Sequence, residues 1–123
     1  MILWLHEENI HTVKIVYEIE TLTFKANGLK QDIVRIKNKE ESISRLLEFL
    51  EENVKFLRED AEIVSLREFR KIQMQRSQYL QDIISCKECI ETYKSQIKEI
   101  ELKIKVLELK KEQNRFKVLK FKR

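Results

Sequence analysis

Apolar side chains recur every three and four residues from position 15 to position 64 without losing phase, and this recurrence limits the fold more than any other feature. With heptad positions lettered a to g, the a sites are Ile19, Ala26, Ile33, Glu40, Leu47, Val54 and Ala61. The d sites are Ile15, Leu22, Leu29, Ile36, Ile43, Leu50, Leu57 and Val64. Only Glu40 is not apolar, whereas a hydrophobic content of 42% would leave about nine exceptions by chance. Such spacing lines one face of an α-helix with a seam that is stable only when buried against another helix.

A second register begins at Phe69. Its a sites are Phe69, Arg76, Ile83, Ile90, Ile97, Ile104, Lys111 and Val118, and its d sites are Ile72, Tyr79, Cys86, Tyr93, Ile100, Leu107, Asn114 and Phe121. The step from Ala61 to Phe69 is eight residues, so one extra residue enters at 65–68. A skip of this kind unwinds a supercoil locally, bends the helix or marks a change of partner. Isoleucine at both a and d, as at Ile97, Ile100 and Ile104, favours more than two strands.

Composition closes off the other fold classes. The 123 residues include one Gly and no Pro, too few for the tight turns of many-stranded β folds or doubly wound α/β folds, or for Gly-rich phosphate loops. A charged fraction of 37% beside ample aliphatics suits long, surface-rich helices, and disordered chains lack those aliphatics. The fold expected is all-α: one long helix forming a coiled coil or extended helical bundle with partner chains. Fully helical, the chain would span about 180 Å with no core of its own. The pairs Glu41–Arg45, Glu51–Lys55, Glu99–Lys103 and Glu101–Lys105 have the helical i,i+4 spacing in its favourable order.

Two places compete with this reading. Asn27-Gly28 is the one strong turn dipeptide, and a helical hairpin turning there is the rival to a continuous helix. The heptad keeps its phase through it, which favours continuity at a cost of about 1 kcal/mol. Residues 10–24 are rich in β-branched types and partly alternate, as a strand does, but no second strand-like segment exists to pair with them. Helix is expected there too.

Charge is distributed in blocks. The net charge is +4, yet residues 110–123 carry Lys110, Lys111, Arg115, Lys117, Lys120, Lys122 and Arg123 against Glu112 alone. Residues 40–62 carry eight acids against Arg45, Lys55 and Arg58. Such blocks set register or direction in a partner. Two cysteines make no disulfide framework, and the apolar start at Met1 lacks the basic flank and cleavage site of a signal peptide. No apolar stretch approaches the length of a membrane span. A cytoplasmic chain is expected, with the nucleus as a second location.

A further apolar set lies outside the seams. Phe49, Phe56 and Ile63 recur at c with Leu46 at g, and Leu102, Leu109 and Phe116 recur at f with Val106 at c. In a two-stranded coil these sites face water, so large apolar groups there imply contact on a second face, against ordinary surface scatter as the bland account. Cys86-Lys87-Glu88-Cys89 resembles the hook of SMC-like repair ATPases over those four residues alone, which implies two thiolates offered to zinc. The heptad runs through the motif with no turn residue, so the plainer reading makes Cys86 a small core residue at d and Cys89 its neighbour at g. His6 and His11 are five apart, not the four that would set two imidazoles on one metal. Paired carboxylates such as Glu51-Glu52 read as a solvated face. No metal and no cofactor is expected, and the chain reads as a non-enzyme.

The segments expected are 1–14, an apolar-start helix; 15–64, a coiled coil in the first register; the skip at 65–68; 69–109, a coiled coil in the second register; and 110–123, a basic amphipathic tail. The interface residues are the seams (Ile33, Ile36, Ile43, Leu47, Leu50, Val54, Leu57, Ile83, Ile90, Ile97, Ile100, Ile104, Leu107) and the outer set (Phe49, Phe56, Leu102, Leu109, Phe116). The composition is similar to that of the long coiled-coil subunits of cytoskeletal, ciliary and centrosomal assemblies. The function expected is a non-catalytic scaffolding subunit in a hetero-assembly rather than an isolated homodimer. Its tail either frays into solvent or docks on an acidic protein surface, ahead of nucleic acid or a membrane surface. The alternative is a nucleic-acid-associated coiled coil using that tail. Glu40, alone in the first seam, is expected to meet a base on another chain. Glu40→Leu should then raise the urea midpoint and loosen partner choice, and a lower midpoint would count against this.

Overall fold

The computed structural model describes the backbone of residues 2–60 and 66–121 and the side chains of residues 10–55 and 66–115. It consists of two α-helices that pack against each other, α1 (Ile2–Asp60) and α2 (Leu66–Phe121), with no strand among the described residues. Contacts gather into two compact units. The first joins residues 1–31 to 93–123, and the second is formed by residues 32–92.

Each unit buries its own seam. In the first, Ile15 and Ala26 of α1 are buried, as are Ile97 and Ile100 of α2. In the second, the buried residues are Ile33 and Ile43 of α1 and Cys86 and Ile90 of α2. All eight stand at a or d sites. Of the heptad sites whose side chains are described, Arg76 and Lys111 alone are exposed. The expectation of a long helix whose seam waits for partner chains is thereby corrected: α2 covers α1 within the same chain, and the chain has a narrow core of its own. The register slip gives the physical reason. One extra residue rotates a helix face by about 100°, so a single straight helix would point its two seams in different directions. As two helices, each seam has the other to face. The slip falls beside the change of helix, between Asp60 and Leu66.

The helices run antiparallel in each unit. In the second, Glu40 is level with Lys87 and Glu51 with Arg76, so position falls by eleven on one helix as it rises by eleven on the other. In the first, Lys30 meets Glu101, while Glu18 and Leu22 lie beside Leu102, Lys103, Val106 and Leu107. In an antiparallel pair of this kind a sites of one helix face d sites of the other.

Neither competing reading of the N-terminal half survives. Asn27 and Gly28 sit inside α1 with no positive φ, held by Ala26, which is 4% exposed at a, and by half-buried Leu29 at d. The β-branched stretch before them is helical. There Thr21 and Thr23 donate their hydroxyls to the carbonyls of Tyr17 and Ile19, at 2.9 and 2.7 Å. Such back-bonding gives a threonine inside a helix a partner for its hydroxyl.

Three substitutions test this packing by urea unfolding. A Cβ on Gly28 would meet nothing within 4 Å, so Gly28→Ala should raise stability by about 0.5–1 kcal/mol. Ile97→Ala should lower it by about 2 kcal/mol through the cavity it leaves. Val34→Ala, on the exposed face, should change it by less than about 0.5 kcal/mol.

Candidate interaction surface

Polar residues at the seam decide which part of α2 lies against α1. Glu40, the one polar a site of the first register, is largely covered, and its Oε1 lies 3.9 Å from Lys87 Nζ. The base it was expected to find on another chain belongs to this one. Arg76, at a in the second register, donates through Nε to Glu51 Oε1 at 3.1 Å. The two pairs mirror each other: an a-site charge on each helix reaches the e-site charge of its neighbour. Lys30 and Glu101, both at e, pair at 3.7 Å in the first unit. Of the intrahelical pairs expected, Glu41 and Arg45 meet at 2.7 Å, whereas Glu51 and Glu101 turn across to the other helix. The e position explains this, because a carboxylate beside the seam is as close to the facing helix as to its own next turn. These pairs are half exposed and each adds well under about 1 kcal/mol. Their effect is on register, since a slip by one heptad would strand charge at the seam.

Outside the seams the helices carry large apolar side chains in water. Phe49 is 64% exposed and Leu102 62%, with Leu46, Val106 and Leu109 also exposed. These are the outer residues picked out by their recurrence, and α1–α2 packing leaves them uncovered. Leu102 and Val106 line an open groove of about 370 Å³ in the first unit together with Leu22, Leu107, Glu18 and Lys103. The seam residues Ile36, Leu47, Leu50, Val54, Ile83, Ile104 and Leu107 are half-buried between the helices, not turned outward. The side chains of Phe56, Leu57, Ile63 and Phe116 lie outside the described residues, as do those of Lys117, Lys120, Lys122 and Arg123. In the basic tail, Lys110, Lys111 and Arg115 are exposed.

One row was missed. Ile10, Tyr17 and Phe24 recur at f with Val13 between them at b, and all four are exposed, Phe24 by 82%. The seven-residue recurrence was present in the sequence. In the sequence it is masked by the β-branched residues around it, whose partial alternation resembles a strand.

Little here suggests chemistry on a bound molecule. Cys86 is buried at the seam and Cys89 is half-buried beside it, both as free thiols, so two chains could share a zinc there only if Cys86 left the core. His11 is exposed, and the side chain of His6 lies outside the described residues. Among the described residues no three His, Cys, Asp or Glu side chains gather as a metal site would need, and no charged group is buried. A shallow hollow along α2 is lined by Gln73, Met74, Ser77, Gln78 and Gln81, none of them titratable. Among the described residues no helix is long and apolar enough to cross a membrane. No protein-family model matches the chain, and no curated protein or solved structure matches it.

A charge exchange tests whether the cross-helix pairs set register. Glu51→Arg or Arg76→Glu alone should cost about 0.5 kcal/mol in urea unfolding, and the double exchange should recover most of it. Additive losses in the double variant would show that the pair is not coupled.

Proposed function

We propose that the chain is a non-catalytic scaffolding subunit that binds partner helices through its outer apolar rows. One observation carries this reading: after the two helices have covered each other's seams, Phe49 of α1 stays exposed, as do Leu102 and Leu109, seven residues apart on α2. Scattered apolar residues on a surface need no explanation, but regular rows along a helix are laid out as a second helix would meet them. Within each unit the buried seam holds these faces outward before a partner arrives, which lowers the ordering cost of binding. Charged blocks at residues 40–62 and 110–123 then favour one direction of approach over the other. A cytoskeletal or ciliary setting is the finer part of the proposal, supported by likeness of composition to the long coiled-coil subunits of such assemblies.

The test is tagged expression of the whole chain in cells of its own kind, with partners weighed by quantitative mass spectrometry. A helical protein at fixed stoichiometry is expected with the unaltered chain. It should be lost at least tenfold with Phe49→Ser/Leu102→Ser/Leu109→Ser, while far-ultraviolet circular dichroism stays unchanged. Undiminished binding by that variant would overturn the reading. Binding that instead fell steeply with salt and vanished with Lys110→Glu/Lys111→Glu/Arg115→Glu would put a nucleic-acid contact in its place.

A further inference from the structure

The two outer rows differ in electrical character, and each has what the other lacks. Phe49 lies on α1 with Leu46 one turn before it, in the acidic block. On its outward side stand Glu48 and Glu52, both exposed and neither in an ion pair among the described residues. Nearby carboxylates have internal partners: Glu41 holds Arg45, Glu40 meets Lys87 and Glu51 meets Arg76. Glu48 and Glu52 are therefore the acids this face offers outward, with exposed Lys55 the base beside them.

On α2, Leu102, Val106 and Leu109 form the second row. Helical spacing sets Lys98 and Lys105 along one flank and Lys103 and Lys110 along the other, all exposed and none in an ion pair among the described residues. Of the acids around them, Glu101 is engaged by Lys30, which leaves exposed Glu99 and Glu112 against the four lysines. The net charge of +6 over residues 110–123 extends the same sign along the chain.

The geometry points to a second copy of this chain as an occupant of these rows: the acidic row at Phe49 of one copy docks on the basic row at Leu102–Val106–Leu109 of another. This rests on the reading above that the outer rows are binding surfaces, and it names one of the partners. In the sequence Phe49 recurs at Phe56 and Leu102 at Leu109, seven residues on, the spacing at which two helices run along each other without drifting apart. Carboxylates and ammonium groups at the margins meet with opposite sign only when unlike rows pair, and like rows would repel. The interface is heterologous, joining two different patches. It closes into a ring or dimer, or continues as a filament, according to the rotation between copies. A face this small predicts weak association, strengthened when many copies line up.

Sedimentation equilibrium of the purified, reduced chain over a wide concentration range is the test. Self-association is expected in the micromolar range, weakening as salt rises from low to molar concentration. Glu48→Lys/Glu52→Lys should weaken it about tenfold, and so should Lys98→Glu/Lys105→Glu. Mixing these two variants should restore association, because each then supplies the sign the other has lost. Phe49→Ser should weaken it as well, while Phe24→Ser, on a row outside the proposed contact, should not. Circular dichroism of each variant checks that the helices remain. A chain monomeric at every concentration would overturn the inference, as would a mixture that associates no better than its separate variants. Self-association lost with Phe24→Ser but kept with Phe49→Ser would also overturn it. A monomer that still binds another helical protein through Phe49, Leu102 and Leu109 would defeat this inference alone. Failure of both measurements would defeat the reading beneath it.

Discussion

The burial of one helix seam by the other is the interaction on which everything else in this molecule rests. Helices of this length are poorly stable alone in water, because propensity adds too little per residue to offset backbone ordering. Mutual cover of Ile15, Ala26, Ile33 and Ile43 by the seam that carries Cys86, Ile90, Ile97 and Ile100 supplies the missing stabilisation. It also determines which faces stay in water. The outer rows are outer only because the seams have found each other.

Electrostatics acts at a second level. The polar seam sites, Glu40 and Arg76, are matched by Lys87 and Glu51 on the facing helix, so each charge marks a position along the pair. Aliphatic side chains alone would tolerate sliding by a heptad, since one isoleucine is much like the next. A charge at a is less tolerant, because a slip separates Glu40 from Lys87 and Arg76 from Glu51. The cross-helix pairs therefore contribute more to specificity than to stability.

Much of this was legible beforehand. The seam positions, the all-helical fold and the passage of the helix through Asn27-Gly28 all follow from phase, because 3.5-residue spacing has meaning only on a helix. The outer residues Phe49, Leu102 and Leu109 were legible for the same reason. What stayed hidden was the reversal. No Gly or Pro separates Asp60 from Leu66, and the usual marks of a turn were missing where the helix ends. The single-residue slip was visible, but a slip alone does not distinguish an unwound rod from two helices facing each other. The base opposite Glu40 was hidden with it, because Lys87 becomes a neighbour only after the chain reverses.

Sequence by itself determined the secondary structure and its apolar faces, since periodicity and the scarcity of Gly and Pro are local properties that act through backbone geometry. Tertiary structure alone decided which seam covers which. Distance along the chain says nothing about distance in space: residues 47 apart, such as Glu40 and Lys87, meet only when the whole pair is in register. It also decided which carboxylates are engaged and which stand free, because an acid at e has two candidate partners and only the facing helix settles the choice. The seams were expected to be the surface offered to other proteins. Once folded, the chain keeps them for itself and leaves Phe49, Leu102 and Leu109 in the water.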